Sequence, residues 1–505
     1  KSGFLTPSYS SSGNLGTSIK TPYFKVLDID KDITFSPRYY ADKSFLLQNE
    51  YRQALKNSNI LSDFSFFVGE EGTKGHLFYN NIGTFSESIN YELNLQTVKG
   101  DNYLKKYNLK ETSKLITNDN VLTSNLNLNW EFPDSKLRTS FKVYEDLTRN
   151  RHDRYQYVYP EYNFSKNLKI PDEYQGTFNF RTYGYNKNYN TNVNESLLIN
   201  NFLFKSYNFI NSRGISNKYD LLLKNTNSYT NNSSNFKENE DYNVFETIKL
   251  DFNFPLIKKN NNITYYLKPK ASVRYSPNGN TDLSSSGLTL NYNNAFNLDR
   301  INNNTQVEGG ESLTLGLEFR KSENLIGDVI NFRIGNVLKP EKNFKLPSRA
   351  KLDQTRSDIF GDLDYRLNKY INLGYSFSYD RDLDFSNLDE LSTAISVNNF
   401  LTKFNYYAEN NDFGDSESIK NTTKYSFDDA NSIKFITSKD LKNDFTRYYK
   451  LIYEFETDCI FITLDYNRTF YSGGNIEPDD TLSFLIKFIP FTELGVPNVG
   501  SMINN

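Results

Sequence analysis

Two histidines, His76 and His152, a single cysteine, Cys459, and the stretch Ser472-Gly473-Gly474-Asn475 with Asp479 and Asp480 behind it are the residues best equipped to do chemistry here. A zinc-type centre needs three or four His, Cys or carboxylate ligands brought together, which two distant histidines and one thiol do not supply. A nucleophilic enzyme needs a base placed against its nucleophile. His76 and His152 read instead as loop or interface residues. The glycine-rich stretch joins two strand-like runs and not a strand to a helix, so it is a turn and not a phosphate cradle. Asp479 and Asp480, which follow Pro478 in the same connection, read as solvated turn carboxylates. This reading gives no catalytic constellation, no metal site and no cofactor, and one cysteine excludes an internal disulfide framework.

The chemistry that does stand out belongs to the backbone. Residues 3–24 run GFLTPSYSSSGNLGTSIKTPYF, with strand-like runs at 4–10 and 18–24 about a Ser/Gly/Asn turn and one proline in each, Pro7 and Pro22. Proline has no N–H for a ladder, so it belongs on edge strands or bulges. In a closed barrel this hairpin is a weakened seam that opens sideways; otherwise it is an edge hairpin whose prolines discourage aggregation.

The elements that would position such a seam are legible as period-two alternation. Ile89, Tyr91, Leu93 and Leu95 alternate with Asn90, Glu92, Asn94 and Gln96, and Leu126, Leu128, Trp130 and Phe132 with Asn125, Asn127, Asn129 and Glu131. The same holds for Ile248, Leu250, Phe252 and Phe254, for Leu313, Leu315, Leu317 and Phe319, and for Ile371, Leu373, Tyr375, Phe377 and Tyr379. Each such segment has one apolar and one polar face, as a membrane barrel with a wet lumen requires. The chain of 505 residues is 16% aromatic, with 40 Phe and 38 Tyr, too aromatic for a disordered polar chain. A net charge of −3 from well-mixed acids and bases leaves no footprint for nucleic acid.

The expected fold is therefore all-β, a large antiparallel transmembrane barrel of 24 to 26 strands with a weakly paired seam between its first and last strands. Residues 367–370 read as a short periplasmic hairpin, and 99–120, 211–243 and 278–286 as outer loops. The asparagine runs at 260–262 and 302–304 read as loop tips. The chain starts at Lys1 with no charged-then-apolar leader, which reads as a mature or trimmed fragment.

Several ordered landmarks resemble the LptD (OstA) family of outer-membrane lipopolysaccharide-assembly proteins. They are Gly3-Phe4-Leu5-Thr6-Pro7, Thr21-Pro22-Tyr23-Phe24, Asp32-Ile33-Thr34-Phe35-Ser36-Pro37-Arg38 and Asp153-Arg154-Tyr155-Gln156 with Tyr159-Pro160. Further along come Leu267-Lys268-Pro269 with Arg274-Tyr275-Ser276-Pro277, Leu338-Lys339-Pro340 with Leu346-Pro347, and Arg356-Ser357-Asp358. The closing segment runs from Asp458-Cys459 through Tyr466-Asn467-Arg468 to Phe488-Ile489-Pro490-Phe491-Thr492-Glu493-Leu494-Gly495.

The resemblance implies a 26-strand barrel over 1–495 with a tail at 496–505, preceded in the family by a periplasmic jelly-roll domain that this chain lacks. It implies a non-enzymatic translocon of the cell outer membrane that inserts lipopolysaccharide into the outer leaflet through a lateral gate. Pro7 and Pro22 would weaken the gate, opposite strand 482–489. There Leu482, Phe484, Ile486 and Phe488 would face lipid, and Ser483 and Lys487 would face inward. Cys459 stands where a family cysteine forms a disulfide with the preceding domain, and its parity with Thr463, Asp465 and Asn467 would point it inward; a lone buried thiol is the other reading. Implied partners are lipopolysaccharide, the periplasmic Lpt bridge and the barrel-assembly machinery; use of an LptE-like lipoprotein plug is left open. The competing classes are a passive or TonB-linked uptake pore, which needs a continuous seam, and a soluble or surface-attached β scaffold.

Overall fold

Alternating side chains on a pleated backbone leave one face for lipid and one for water, and the chain satisfies its backbone groups by closing on itself. The computed structural model describes residues 1–12, 15–70, 72–150, 152–278, 282–301, 303–411, 414–470 and 479–488, without the side chains of 479, 487 and 488. It is a closed antiparallel barrel of 26 strands. The first hairpin is β1 (Gly3–Phe4 and Ser8–Ser12) and β2 (Gly16–Lys20 and Tyr23–Asp28), each in two pieces. Next come β3 (Lys31–Tyr40), β4 (Phe45–Ala54), β5 (Ser58–Gly69), β6 (Gly72–Ser86), β7 (Ile89–Lys99), β8 (Val121–Phe132), β9 (Ser135–Asp146), β10 (Tyr155–Leu168) and β11 (Gly176–Tyr189). The far wall is β12 (Val193–Ser206 with Phe209–Ile210), β13 (Ser216–Asn231), β14 (Asn239–Asn253 with Leu256–Asn260), β15 (Ile263–Ser276), β16 (Gly310–Glu323) and β17 (Gly327–Leu338). The wall returns through β18 (Ile359–Asn368), β19 (Ile371–Tyr379), β20 (Ser386–Val397), β21 (Phe400–Asn411) and β22 (Gly414–Ser426). It closes with β23 (Asn431–Asp440), β24 (Phe445–Glu456), β25 (Ile460–Thr469) and β26 (Asp479–Phe488).

The alternation falls as the sequence requires. Ile248, Leu250 and Phe252 are exposed on the outside while Thr247, Lys249 and Asp251 are buried within. The inward Asn80, Asn94 and Asn125 bridge β6, β7 and β8 at 2.6 and 3.0 Å. At one end the connections are short, as at 29–30, 87–88, 133–134 and 369–370; at the other lie the long ones, 100–120, 277–309 and 339–358. Lys1 and the end of β26 are both at the short-turn end.

Several expectations are corrected. Most of 211–243 is strand, because Leu221 and Leu223 face lipid while Asp220 and Lys224 face the lumen. The expected outer loops at 99–120 and 278–286 belong to connections that fold inward: α1 (Tyr103–Lys106) and the turn Leu109–Glu111 bury Tyr103, Leu104, Tyr107 and Leu109. α2 (Tyr292–Ala295) and Leu346 and Leu352 do so from the other two connections. Asn303 and Asn304 are part of that inward fold and not a loop tip; Asn302 and 472–475 lie outside the described residues. Asp479 and Asp480 open β26 rather than a turn, and Asp480 pairs with Arg468 at 3.2 Å.

Candidate lateral gate

The seam is the joint between β26 and β1. Among the described residues five pairs close it, from Ser8 with Leu485 to Ser12 with Thr481. The neighbouring β25–β26 joint has ten, from Ile460 with Phe488 to Thr469 with Asp479. Among the described residues, 5–7 carry no strand and 486–488 pair with β25 alone, so the ladder across the seam stops at Ser8 and Leu485.

The prolines explain where pairing fails. β1 breaks at 5–7, which contains Pro7, and β2 breaks at Thr21-Pro22. Phe4 faces Tyr23 whereas Ser8 faces Lys20, so four steps along β1 match three along β2 and one residue bulges. That bulge moves the outward face from Phe4 to Tyr9, both exposed. The Pro22 carbonyl accepts the Leu5 N–H at 2.8 Å, and its missing N–H therefore also faces β1. On the last strand Leu482 and Phe484 are exposed, and Ser483 and Ile486 are half-buried. Phe488 pairs through its backbone with Ile460, and its side chain and that of Lys487 lie outside the described residues.

The inward connection 100–120 braces the hairpin tip. Leu15, in the β1–β2 turn, packs on the cluster of Tyr40, Tyr103, Leu104, Tyr107 and Leu109, and Arg38 donates to the Tyr107 carbonyl at 3.3 Å. The anchor of this connection is a buried polar chain. The Tyr103 hydroxyl lies 2.7 Å from Ser65 Oγ, which lies 2.6 Å from His76 Nδ1, whose Nε2 is 3.2 Å from Asp63. Burial pushes the Tyr103 phenol up, more than its hydrogen bond with Ser65 lowers it. His76 is thus a lumen-facing strand residue, not a loop residue. Ser65, His76 and Asp63 have the composition of a hydrolytic triad, yet the hydroxyl is capped by Tyr103 and all three are buried, so the arrangement docks a loop.

A family model described as LPS transport system D matches residues 72–438. The chain belongs to the LptD family. Among curated relatives, the LPS-assembly protein LptD of Nitrosococcus oceani is 30% identical over 154 residues, 30% of this chain and 20% of that protein. That of Pseudoalteromonas translucida is 29% identical over 122 residues, 23% of this chain and 16% of the relative. The aligned stretches thus span a fifth or less of these relatives. Among solved structures, the FrpB iron transporter of Neisseria meningitidis superposes with a TM-score of 0.32 at 7% identity, covering 97% of this chain and 82% of that one. The siderophore receptor PiuA of Acinetobacter baumannii gives 0.31 at 10% identity, over 96% and 82%; superpositions this loose carry no argument. As a closed barrel of the LptD family, the chain is an integral outer-membrane protein.

In this barrel the other inward connections form a second plug around a buried ion cluster. Arg300 donates to Glu308 through Nε at 2.7 Å and Nη2 at 2.5 Å, and to Ser312 and Thr314. Lys339 reaches the same carboxylate at 3.3 Å. Burial alone would push the Glu308 carboxyl up, but Arg300, Arg274 and Lys339 outweigh it and hold it down at about 2. Cys459 precedes β25 and lies exposed in the turn 457–459, where its N–H donates to Thr457 Oγ1 at 3.4 Å. Strand parity therefore does not orient it, and it is not a buried thiol. It does lie at the short-turn end, where Lys1 also lies. His152 is exposed in the 147–154 connection, and its carbonyl accepts from Thr191 at 2.7 Å. The buried anchors of the plugs escaped sequence reasoning; the aromatic spacing of Tyr103 and Tyr107 within a polar stretch was the available signal.

Proposed function

We propose that this chain is the barrel portion of an outer-membrane translocon that inserts lipopolysaccharide into the outer leaflet through the β26–β1 seam. The observation that carries the reading is the seam, closed by five pairs among the described residues, with 5–7 and 486–488 unpaired across it. At roughly one bond per pair and about 0.5–1.5 kcal/mol net per bond, unzipping it costs about 3–8 kcal/mol, half of what β25–β26 would need. Unpaired backbone in hydrocarbon costs several kcal/mol per group, so a joint left open here suits an amphiphile that fills it better than bare lipid. Short turns face the periplasm in such barrels. Acyl chains then enter at the unpaired half and leave as the paired half parts, while the glycan stays in the polar lumen.

The remaining roles rest on the family. On that basis the barrel spans 1–495 with a tail at 496–505, a boundary that lies outside the described residues, and a jelly-roll domain on the periplasmic side hands over lipid A from the Lpt bridge. Exposed Cys459, at that end, pairs with a cysteine of this domain. The barrel-assembly machinery inserts the chain, and an LptE-like lipoprotein enters the lumen from the short-turn end. Transport and not catalysis is the activity.

The test is a disulfide across the seam. Ser10 and Ser483 face each other, so Ser10→Cys with Ser483→Cys should stop delivery of lipopolysaccharide to the cell surface when oxidised and restore it on reduction. Delivery that continues with the lock closed rules out this gate.

A further inference from the structure

Prolines interrupt the wall in a second place, by the same construction. β14 breaks at Phe254-Pro255 as β2 breaks at Thr21-Pro22. In both, the N–H of the residue before the proline is donated to the carbonyl of a proline in the next strand, Thr21 to Pro37 at 3.1 Å and Phe254 to Pro269 at 3.0 Å. Register is kept across each break: Lys20 faces Arg38 and Tyr23 faces Phe35, just as Asn253 faces Lys270 and Leu256 faces Leu267. The N–H and C=O of a residue in an antiparallel ladder point to the same neighbour. Pro37 therefore lacks a donor toward β2, and Pro269 lacks one toward β14. The two breaks also sit at one level, since Pro22 and Pro255 lie six and five residues from the short-turn ends of their strands at Asp28 and Asn260.

Their placement around the ring gives this repetition a meaning. In a closed wall of 26 strands the joint facing β26–β1 is β13–β14, and the β14–β15 joint, short of the Pro269 donor, is next to it. A split ring spread at its gap bends most at the point facing the gap. We infer that the wall hinges at β14, where Pro269 withholds a donor from the β14–β15 joint and Pro255 one from the β13 side, both acting as positioning residues when the seam spreads; this rests on reading the seam as a gate. Prolines in mid-wall lose ladder bonds where no water replaces them, so an edge-protecting role does not account for them. Above the break the joint is braced from the lumen, where Lys249 donates to the Phe296 carbonyl and Arg274 to the Leu298 carbonyl, both at 2.8 Å. The brace reaches the break itself, where Tyr292 donates to Glu318 at 3.1 Å and Glu318 pairs with Lys268 at 3.2 Å, so the bend falls between Lys268 and the short turn.

The test uses the full-length protein in lipid nanodiscs, spin-labelled at Phe4→Cys and Ile486→Cys across the unpaired half of the seam. In the parent protein the label distances should be broad, with a second, longer population. Pro255→Thr with Pro269→Val should collapse them to the short population and slow surface delivery at least threefold, at unchanged barrel yield. Pro269→Val alone, which restores only the donor facing β14, serves if the double variant does not assemble. An unaltered distribution overturns the hinge. The oxidised Ser10–Ser483 lock separates the two ideas. Delivery stopped by the lock with distances indifferent to the prolines overturns the hinge alone; delivery untouched by the lock while the distances still narrow overturns the gate and supports the hinge.

Discussion

The joint that closes the barrel and the joint across from it use the same Ser-, Asn- and Leu-rich sequence and come out very differently. β13 and β14 are matched over fifteen pairs, from Ser216 with Asn253 to Thr230 with Asn239, without a slip. Their lumen face is tied by Lys249 to Asp220 at 3.5 Å and to Asp251 at 2.8 Å. β26 and β1 are matched over five among the described residues, and β1 presents Ser8, Ser10 and Ser12 to the lumen. The difference teaches that a membrane barrel sets local strength less by composition than by where donors are withheld and where long side chains can cross-link.

The same contrast separates the two plugs, and the largest effect should come from breaking it. Glu308→Gln leaves Arg300, Arg274 and Lys339 buried without their counter-charge, which should destabilise the far plug by about 3–5 kcal/mol. Proteolysis of 277–309 from outside, with the β1–β2 hairpin unaffected, is the measurement. Acid should do the same without mutation. The Glu308 carboxyl is held at about 2 against an ordinary 4.5, so its contribution, about 3 kcal/mol, is complete above pH 4.5 and is lost as pH falls through that range toward 2. Protease sensitivity of the far plug should rise there in the parent protein and be flat in Glu308→Gln.

A smaller effect sharpens the seam itself. Pro7→Thr with Pro22→Thr gives back ladder donors, tightening the first hairpin by about 1–2 kcal/mol. Surface delivery should slow while heat-resistant folded barrel accumulates normally; an unchanged rate would make the prolines ordinary edge residues. Smallest is Tyr103→Phe, which removes the hydroxyl bonded to Ser65 and should loosen connection 100–120 by about 1 kcal/mol, seen as faster amide exchange at 103–111 with the far plug unmoved.

The wall was legible because its signal is local. Ile371, Leu373, Tyr375 and Phe377 face out by simple alternation, 369–370 is the short turn expected there, and both hairpin strands break at Pro7 and Pro22. What escaped depends on partners far away in sequence. Residues 216–231 read as loop because Asn and Ser fill a lumen face as readily as a coil, and only pairing with β12 and β14 makes them strand. Residues 103–111 read as polar loop because the Phe67 and Phe78 surface that receives them lies in other strands. Strand parity does not extend to Cys459, since β25 starts one residue later.

The central claim is that strength around the ring is uneven, least at β26–β1. Amide hydrogen exchange of the full-length protein in nanodiscs reads this joint by joint. Residues 8–12 and 481–485 should exchange at least a hundredfold faster than 217–229. Equal, slow exchange at both joints would contradict it.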